Sequence, residues 1–284
     1  MFTKNLSALI ITLGLLSLFG CAKQNINTEA QDKQWNDLNG KIIQYYRVGR
    51  YGEALEVSKM ALNLAKETYG NNNEKTAISL SNTGELYRIL NKYDEAEPLL
   101  KKALKIDEKV HGKVDVSVAK DLNNLAVLYR AKGKLKDAEP LLIRAYEIRK
   151  EKLGETHPEV AISINNLAIL YRAKGEFEKA EPLFKQALEI REKNLGKDHP
   201  DIAISLNNLA ELYKTEKKFN EAEALYKRAL AILEKTLGKN HPNVATVMKN
   251  LSDLYVVMGR KEEAKKLEQN ALAILNRKIQ VKNQ

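Results

Sequence analysis

The sequence predicts an all-α fold, a solenoid of about six stacked helix pairs, on three observations. First, landmarks recur every 42 residues: Asn82, Asn124, Asn166, Asn208 and Asn250 share one position, Tyr87, Tyr129, Tyr171, Tyr213 and Tyr255 another, and Ala54, Ala96, Ala138, Ala180, Ala222 and Ala264 a third. A fixed period of about 20 to 50 residues marks units that cannot bury their apolar faces alone and are stabilised by stacking on their neighbours. Second, within the most regular unit, Thr156 to Gly196, the residues Val160, Ile164, Leu167, Ala168 and Tyr171 follow the three-, four- and seven-residue spacing of one helical stripe. Third, glycine and proline punctuate that unit: Gly175 separates two helical stretches, Gly196 follows the second, and Pro200 opens the next.

Before the repeats, residues 1–20 read as an export signal. Lys4 supplies a short positive region and Leu6 to Phe19 an apolar run without charge, too short to span a bilayer, which takes about 20 apolar residues. The run ends in Leu18-Phe19-Gly20-Cys21, which resembles the lipobox of bacterial lipoproteins. The resemblance implies that cleavage leaves Cys21 as an N-terminus carrying acyl chains, palmitate among them, and several chains together anchor firmly. Cys21 is the sole cysteine, so no disulfide forms within the chain. Ala22 rather than Asp follows it, similar to the pattern sent to the outer membrane in Gram-negative lipoproteins. The implied location is the bacterial cell envelope, lipid-anchored and extracytoplasmic, facing the periplasm if the source is Gram-negative.

Residues 21–33 are polar, poor in large apolar groups and without period. They cannot bury enough surface to offset their ordering entropy and are expected to be a flexible tether. The formal charge of +10 falls by about one once Lys4 is removed, and a basic balance points to anionic partners. Export sets nucleic acid aside and leaves acidic peptides, anionic lipid or anionic envelope polymers as candidates.

The solenoid is expected over residues 34–280, in repeats of about 34–70, 73–112, 114–154, 156–196, 198–238 and 240–279. In the fourth, helix A is expected at Pro158 to Lys174 and helix B at Phe177 to Leu195. Ala180, Leu183, Phe184, Ala187, Leu188 and either Ile190 or Arg191 face inward on helix B. Glu189, Arg191, Glu192 and Lys193 otherwise read as a solvated outer face. Ala168, Ala180 and Ala187 permit close helix approach. Against the pattern, Pro98, Pro140 and Pro182 fall inside helix B, where a missing backbone hydrogen bond costs about 3 kcal/mol, so a late start or slight kink is expected there. The first repeat keeps Tyr45, Gly49, Tyr51, Ala54 and Ala61 but has Gly40 in the asparagine slot, as an atypical cap would, with Trp35 part of that cap. The second has Thr83-Gly84 for Leu-Ala, the third Val114-Asp115 for His-Pro, and the sixth Lys266 for the proline.

Leu167, Ala168, Tyr171, Gly175, Phe177, Ala180, Phe184 and Ala187 stand where tetratricopeptide repeats carry their small and aromatic signature residues. The 42-residue length, the Leu195-Gly196-Lys197-Asp198-His199-Pro200 link and the run from Ala187 to Lys193 resemble the repeats of kinesin light chains. The resemblance implies a right-handed superhelix that binds extended peptide or protein segments in a concave groove lined by helix A, without catalysis. Carried over position by position, that groove presents Asn82, Asn124, Asn166, Asn208 and Asn250, with Asn123, Asn165 and Asn207 beside them and a basic row of Arg88, Arg130, Arg172 and Lys214. An amide both donates and accepts, so an asparagine ladder suits a peptide backbone; arginine grips carboxylates through paired hydrogen bonds and favours acidic ligands. Glu85, Glu211 and Asp253 partly neutralise that row, and Ile162, Ile169 and Ile204 add apolar pockets. The alternative is that the asparagines bond between neighbouring repeats.

His157, His199 and His241 occur once per repeat. Stacked helices lie about 8 to 10 Å apart, whereas zinc needs its ligands near 2.1 Å, so these histidines are assigned a turn role before the proline. No catalytic residue, metal ligand set, cofactor or small-molecule substrate is expected. The sequence thus points to a membrane-anchored interaction scaffold in envelope complex assembly. Two alternatives are a self-associating structural protein and a charge-driven binder of anionic lipid or envelope polymer.

Overall fold

The computed structural model describes residues 28–280, with side chains to residue 276. The expected signal at residues 1–20 and the lipidation site Cys21 lie outside the described residues. Twelve helices follow one another: α1 over residues 28–47, then α2 (Tyr51–Tyr69), α3 (Glu74–Ile89), α4 (Tyr93–His111), α5 (Val116–Ala131), α6 (Leu135–Leu153), α7 (Pro158–Lys174), α8 (Phe177–Leu195), α9 (Pro200–Thr215), α10 (Phe219–Leu237), α11 (Pro242–Val257) and α12 (Lys261–Gln280). No strand occurs among the described residues. Helix α7 and helix α8 have the bounds expected from the periodicity. At the N-terminal side the expectation needs correcting, because α1 already covers residues 28–33, assigned to the tether. Asp32 there accepts hydrogen bonds from Tyr69 and Lys75, side chains that a composition-based reading does not see.

Two compact units divide between Leu128 and Tyr129. In the first, Trp35, Leu38 and Ile42 of α1 bury against Ala54, Leu55, Ala61 and Ala65 of α2 and Leu86 of α3. Trp35 therefore belongs to the core, as the capping role implied, and its indole nitrogen donates to Ser79 Oγ at 2.9 Å. In the second unit each helix from α6 onward packs on the next. One core runs through Val160, Ala161, Ile164, Ala187 and Ile190, and another through Leu206, Ala210, Tyr226, Ala229, Leu251 and Leu254. The recurrent alanines, such as Ala96, Ala138, Ala180 and Ala222, have no exposed surface, so a larger side chain there would push two helices apart. Gly84 carries this furthest: a Cβ on it would stand 2.8 Å from Leu100 Cδ2, which accounts for glycine there in place of alanine.

Helix starts are where sequence expectation and structure differ most. Helices α4, α6 and α8 run unbroken through Pro98, Pro140 and Pro182. Each begins five residues ahead of its proline rather than late, since Pro98 follows Tyr93 at the start of α4, and likewise for Leu135 and Phe177. The proline therefore removes a single N–H bond in the second turn, to a carbonyl at the mouth of the helix. The histidines do more than turn the chain. His157, His199 and His241 each occupy the N-cap in extended conformation, and each Nδ1 accepts from the backbone N–H two residues on, at 3.2 Å. The following proline sits at the first helical position, where its lack of an N–H is harmless.

His199→Ala should therefore destabilise the second unit by about 1 kcal/mol, the usual effect of losing a side-chain cap, while His199→Asn should restore most of that. Urea denaturation of the two variants beside the parent protein checks this.

Candidate functional site

The expected groove-lining asparagines occur as doublets on helix A, and the structure gives the two members different jobs. The second amide of one repeat donates through Nδ2 to the first polar side chain of the repeat before it, 43 residues earlier. In the first unit Asn82 donates to Asn39 Oδ1 at 3.2 Å and Asn124 to Ser81 Oγ at 3.1 Å. In the second unit Asn208 donates to Asn165 Oδ1 at 3.0 Å and Asn250 to Asn207 Oδ1 at 2.8 Å. Asn123 and Asn166 are engaged as well. The ladder is thus first an internal seam between neighbouring repeats, the alternative left open by the sequence. Asn165 is only 6% exposed and serves that seam, not a surface. The second-slot members Asn82, Asn124, Asn208 and Asn250 are half-buried and commit one of two N–H groups to it, so each retains a further N–H and its carbonyl oxygen for other partners. Gly40 stands in the donor slot of α1 and Lys249 in the acceptor slot of α11.

The basic row is corrected in the same direction. Arg88 makes two bonds to Glu85, at 2.8 and 2.6 Å. Lys214 lies 2.8 Å and Arg172 3.5 Å from the carboxylate of Glu211, which also accepts from the buried Tyr226 hydroxyl. Arg130 is engaged too. Most of the charge expected to grip a ligand is spent within the fold. Arg191, one of the two alternatives for the inner side of α8, is 8% exposed, and its Nη1 reaches Ser205 Oγ at 2.5 Å. Glu192, from the same run, pairs with Arg228.

What remains open is local. In the first unit a cavity of about 700 Å³ lies between α1, α3 and α5, walled by Trp35, Ile42, Ile43, Ile78, Asn82 and Asn124 among others. Ile43 is 53% and Tyr46 45% exposed, although both line this hollow. Arg47 and Lys120 also line it, and among the described residues no ion pair holds either. The site is therefore an apolar floor with amide rungs and cations at its margin. Alternation on α1 hid it from sequence reading, because the 42-residue motif that marked the groove elsewhere is broken in the first repeat at Gly40. The signal that could have shown it is the run Ile42-Ile43-Tyr45-Tyr46, which places apolar residues on two faces of one helix. In the second unit Ile204, 46% exposed, lines a smaller cavity of about 190 Å³ with Asn207, Thr246 and Val247. Among the described residues no helix is long and apolar enough to cross a membrane, and no group of three or more His, Cys, Asp or Glu could hold a metal.

Comparison with known proteins follows the geometry. The family model of the tetratricopeptide repeat matches residues 38–109, 118–193, 165–235 and 201–277. The putative kinesin light chain of Podosopora anserina with nearly identical TPR-like repeats is similar at 28% identity and a TM-score of 0.57, over 72% of this chain and 97% of that one. BtubC (BKLC) from P. vanneervenii shares the fold at 23% identity and a TM-score of 0.60, over 81% and 90%. The Rap conjugation gene regulator of the plasmid pLS20, solved in complex with the Phr* peptide, shares it at 15% identity and a TM-score of 0.62, over 84% and 73%. No curated protein sequence matches the chain.

If the seam is energetic as well as geometric, a double-mutant cycle on Asn165→Ala and Asn208→Ala should return a coupling of about 1 kcal/mol, the net value of one buried hydrogen bond. A coupling indistinguishable from zero would show that the amide pair contributes nothing to stacking.

Proposed function

The chain belongs to the tetratricopeptide repeat family, and from that premise we propose that it is a non-catalytic interaction scaffold holding an extended partner segment in the groove of its first unit. The observation that carries this reading is the exposure of Ile43 and Tyr46 inside a hollow that already contains oriented amides. Water-facing apolar side chains in a concavity gain by covering, and amides with one N–H committed to the seam are held ready for a peptide backbone at little further ordering cost. Arg47 and Lys120 at the margin favour a segment with carboxylates near its apolar side chain. A peptide as ligand is in keeping with the fold, which holds the Phr* peptide in the Rap regulator.

The setting of this scaffold rests on the residues before the repeats. Leu18 to Cys21 support acylation at Cys21 and an extracytoplasmic place in a bacterial envelope, where a binding scaffold would gather or tether components of a complex.

Two outcomes test the reading. A photo-crosslinking residue at position 43 in cells should capture a discrete partner polypeptide, and capture should fall at least tenfold with Tyr46→Ala and Arg47→Glu, with urea unfolding of the variant measured alongside because Tyr46 packs edge-on against Tyr51. Unchanged capture by that double variant removes the groove from the account; binding to anionic vesicles that survives both changes and vanishes with salt would favour the charge-driven alternative. Separately, Cys21→Ala should shift the protein from the membrane to the soluble fraction, and retention in the membrane would dismiss the lipid anchor.

A further inference from the structure

Between successive repeats, one position on helix B meets one position on the next helix A, and the pair changes character along the chain. In the second unit Arg149 Nη1 donates to Ser163 Oγ at 2.7 Å and Arg191 Nη1 to Ser205 Oγ at 2.5 Å. One repeat later Leu233 and Val247 share an apolar core. In the first unit the equivalent residues, 42 positions before Arg149 and Ser163, are Asp107 on α4 and Asp121 on α5. Both are buried, at 5% and 2% exposure, and each carboxyl lies close enough to act on the other.

Two ionised carboxylates side by side repel and cannot hydrogen-bond to one another, since neither has a proton to donate. Asp121 Oδ1 accepts from Ser81 Oγ at 2.8 Å, while Asp107 Oδ1 and Asp121 Oδ2, both buried, have no hydrogen-bond partner. The charged groups that act on the pair come from three helices: His111 on α4 and Lys120 on α5 favour ionisation of Asp107, and Glu74 on α3 opposes it. None of them makes an ion pair with either aspartate. Burial raises the Asp107 carboxyl above the usual range. Burial, with the neighbouring Asp107 charge adding to it, pushes Asp121 up to about 7.

We propose that Asp107 and Asp121 form a proton-binding site in which one shared proton holds α4 on α5 within the first unit, and with it the wall of the groove. The link to the groove is a short hydrogen-bonded chain: Ser81, which donates to Asp121, accepts from Asn124, and Asn124 lines the groove cavity together with Lys120. The proton site stands on the buried pair alone; its regulatory consequence, proton-dependent occupancy of the groove, rests on the proposed peptide-binding role.

The sign follows from linkage. A carboxyl near 3.9 in the unfolded chain and raised when folded contributes stability that is complete below the unfolded value and is lost as pH climbs through the folded one. Neutral to alkaline pH should therefore loosen the contact between α4 and α5.

The test needs no ligand, so its failure is distinct from failure of the groove reading. Unfolding of the protein and of Asp121→Asn is compared at about pH 5 and about pH 8.5. Between these, the unfolding constant of the parent should rise at least tenfold relative to that of the variant, whose side chain mimics the protonated acid. Amide exchange should speed up with pH over residues 74–128 in the parent and not in the variant. Asp107→Asn, expected to behave alike, guards against poor folding of the first variant. Equal pH dependence in parent and both variants overturns the proposal. So does stabilisation of the parent alone by millimolar magnesium or calcium at the higher pH, since the pair would then be a cation site. Trp35, the sole tryptophan, reports on the groove: its emission should titrate in the parent and stay flat in Asp121→Asn, and identical titrations would sever the link from pair to groove.

Discussion

One side-chain amide donating to the polar side chain of the repeat before it, 43 residues back, is the contact on which the arrangement of the inner helices depends. Apolar burial supplies most of the stacking energy, but it is non-directional and tolerates sliding of one smooth helix face on another. A hydrogen bond with a defined donor and acceptor does not, so the amide ladder gives the stack its register. Asparagine is a weak helix former, less favourable than alanine by about half a kcal/mol. Its presence mid-helix in repeat after repeat makes sense once the amide bonds across the interface instead of to its own backbone. In the second unit a further seam runs alongside, with Tyr213 donating to Glu181 and Tyr255 to Glu223, and with Lys218 and Arg260 bonded to the same two carboxylates.

The polar contacts deeper in each interface vary where the ladder does not. The same site between repeats holds two carboxyl groups in the first unit, then arginine on serine, then leucine on valine. Replacement of buried polar pairs by apolar ones is often neutral or stabilising, whereas breaking a pair by removing one partner is costly. Interfaces built this way are free to diverge in their response to pH while the surrounding stack stays the same.

Much of the fold was legible in the residues. The bounds of α7 and α8 follow from periodicity plus His157, Pro158, Gly175 and Gly196, because helix starts and stops are local events. Gly175 adopts the left-handed conformation, with φ of 78°, that ends α7. The site was legible only in part. The resemblance puts Asn165 and Asn166 together on the groove face, and position alone does not distinguish an amide bonded to the next helix from one open to solvent. Spacing leaves Ile190 and Arg191 as alternatives for the inner side of α8, and both are buried, Arg191 against Ser205 of the next repeat. Asn82 and Asn124 of the first unit's groove follow from the repeat, whereas its floor, Ile43 and Tyr46, belongs to α1, whose asparagine motif is broken at Gly40.

The amide ladder therefore has two faces, one turned to the neighbouring repeat and one to the hollow, and this division is what joins architecture to binding. Side-chain amide hydrogen exchange by nuclear magnetic resonance on selectively labelled asparagine tests it directly. For Asn82, Asn124, Asn208 and Asn250 the account predicts one protected and one freely exchanging Nδ2 proton per residue in the unliganded protein. Free exchange of both protons would mean that no seam exists, and protection of both would leave no N–H for a partner to accept from; either result would contradict the account.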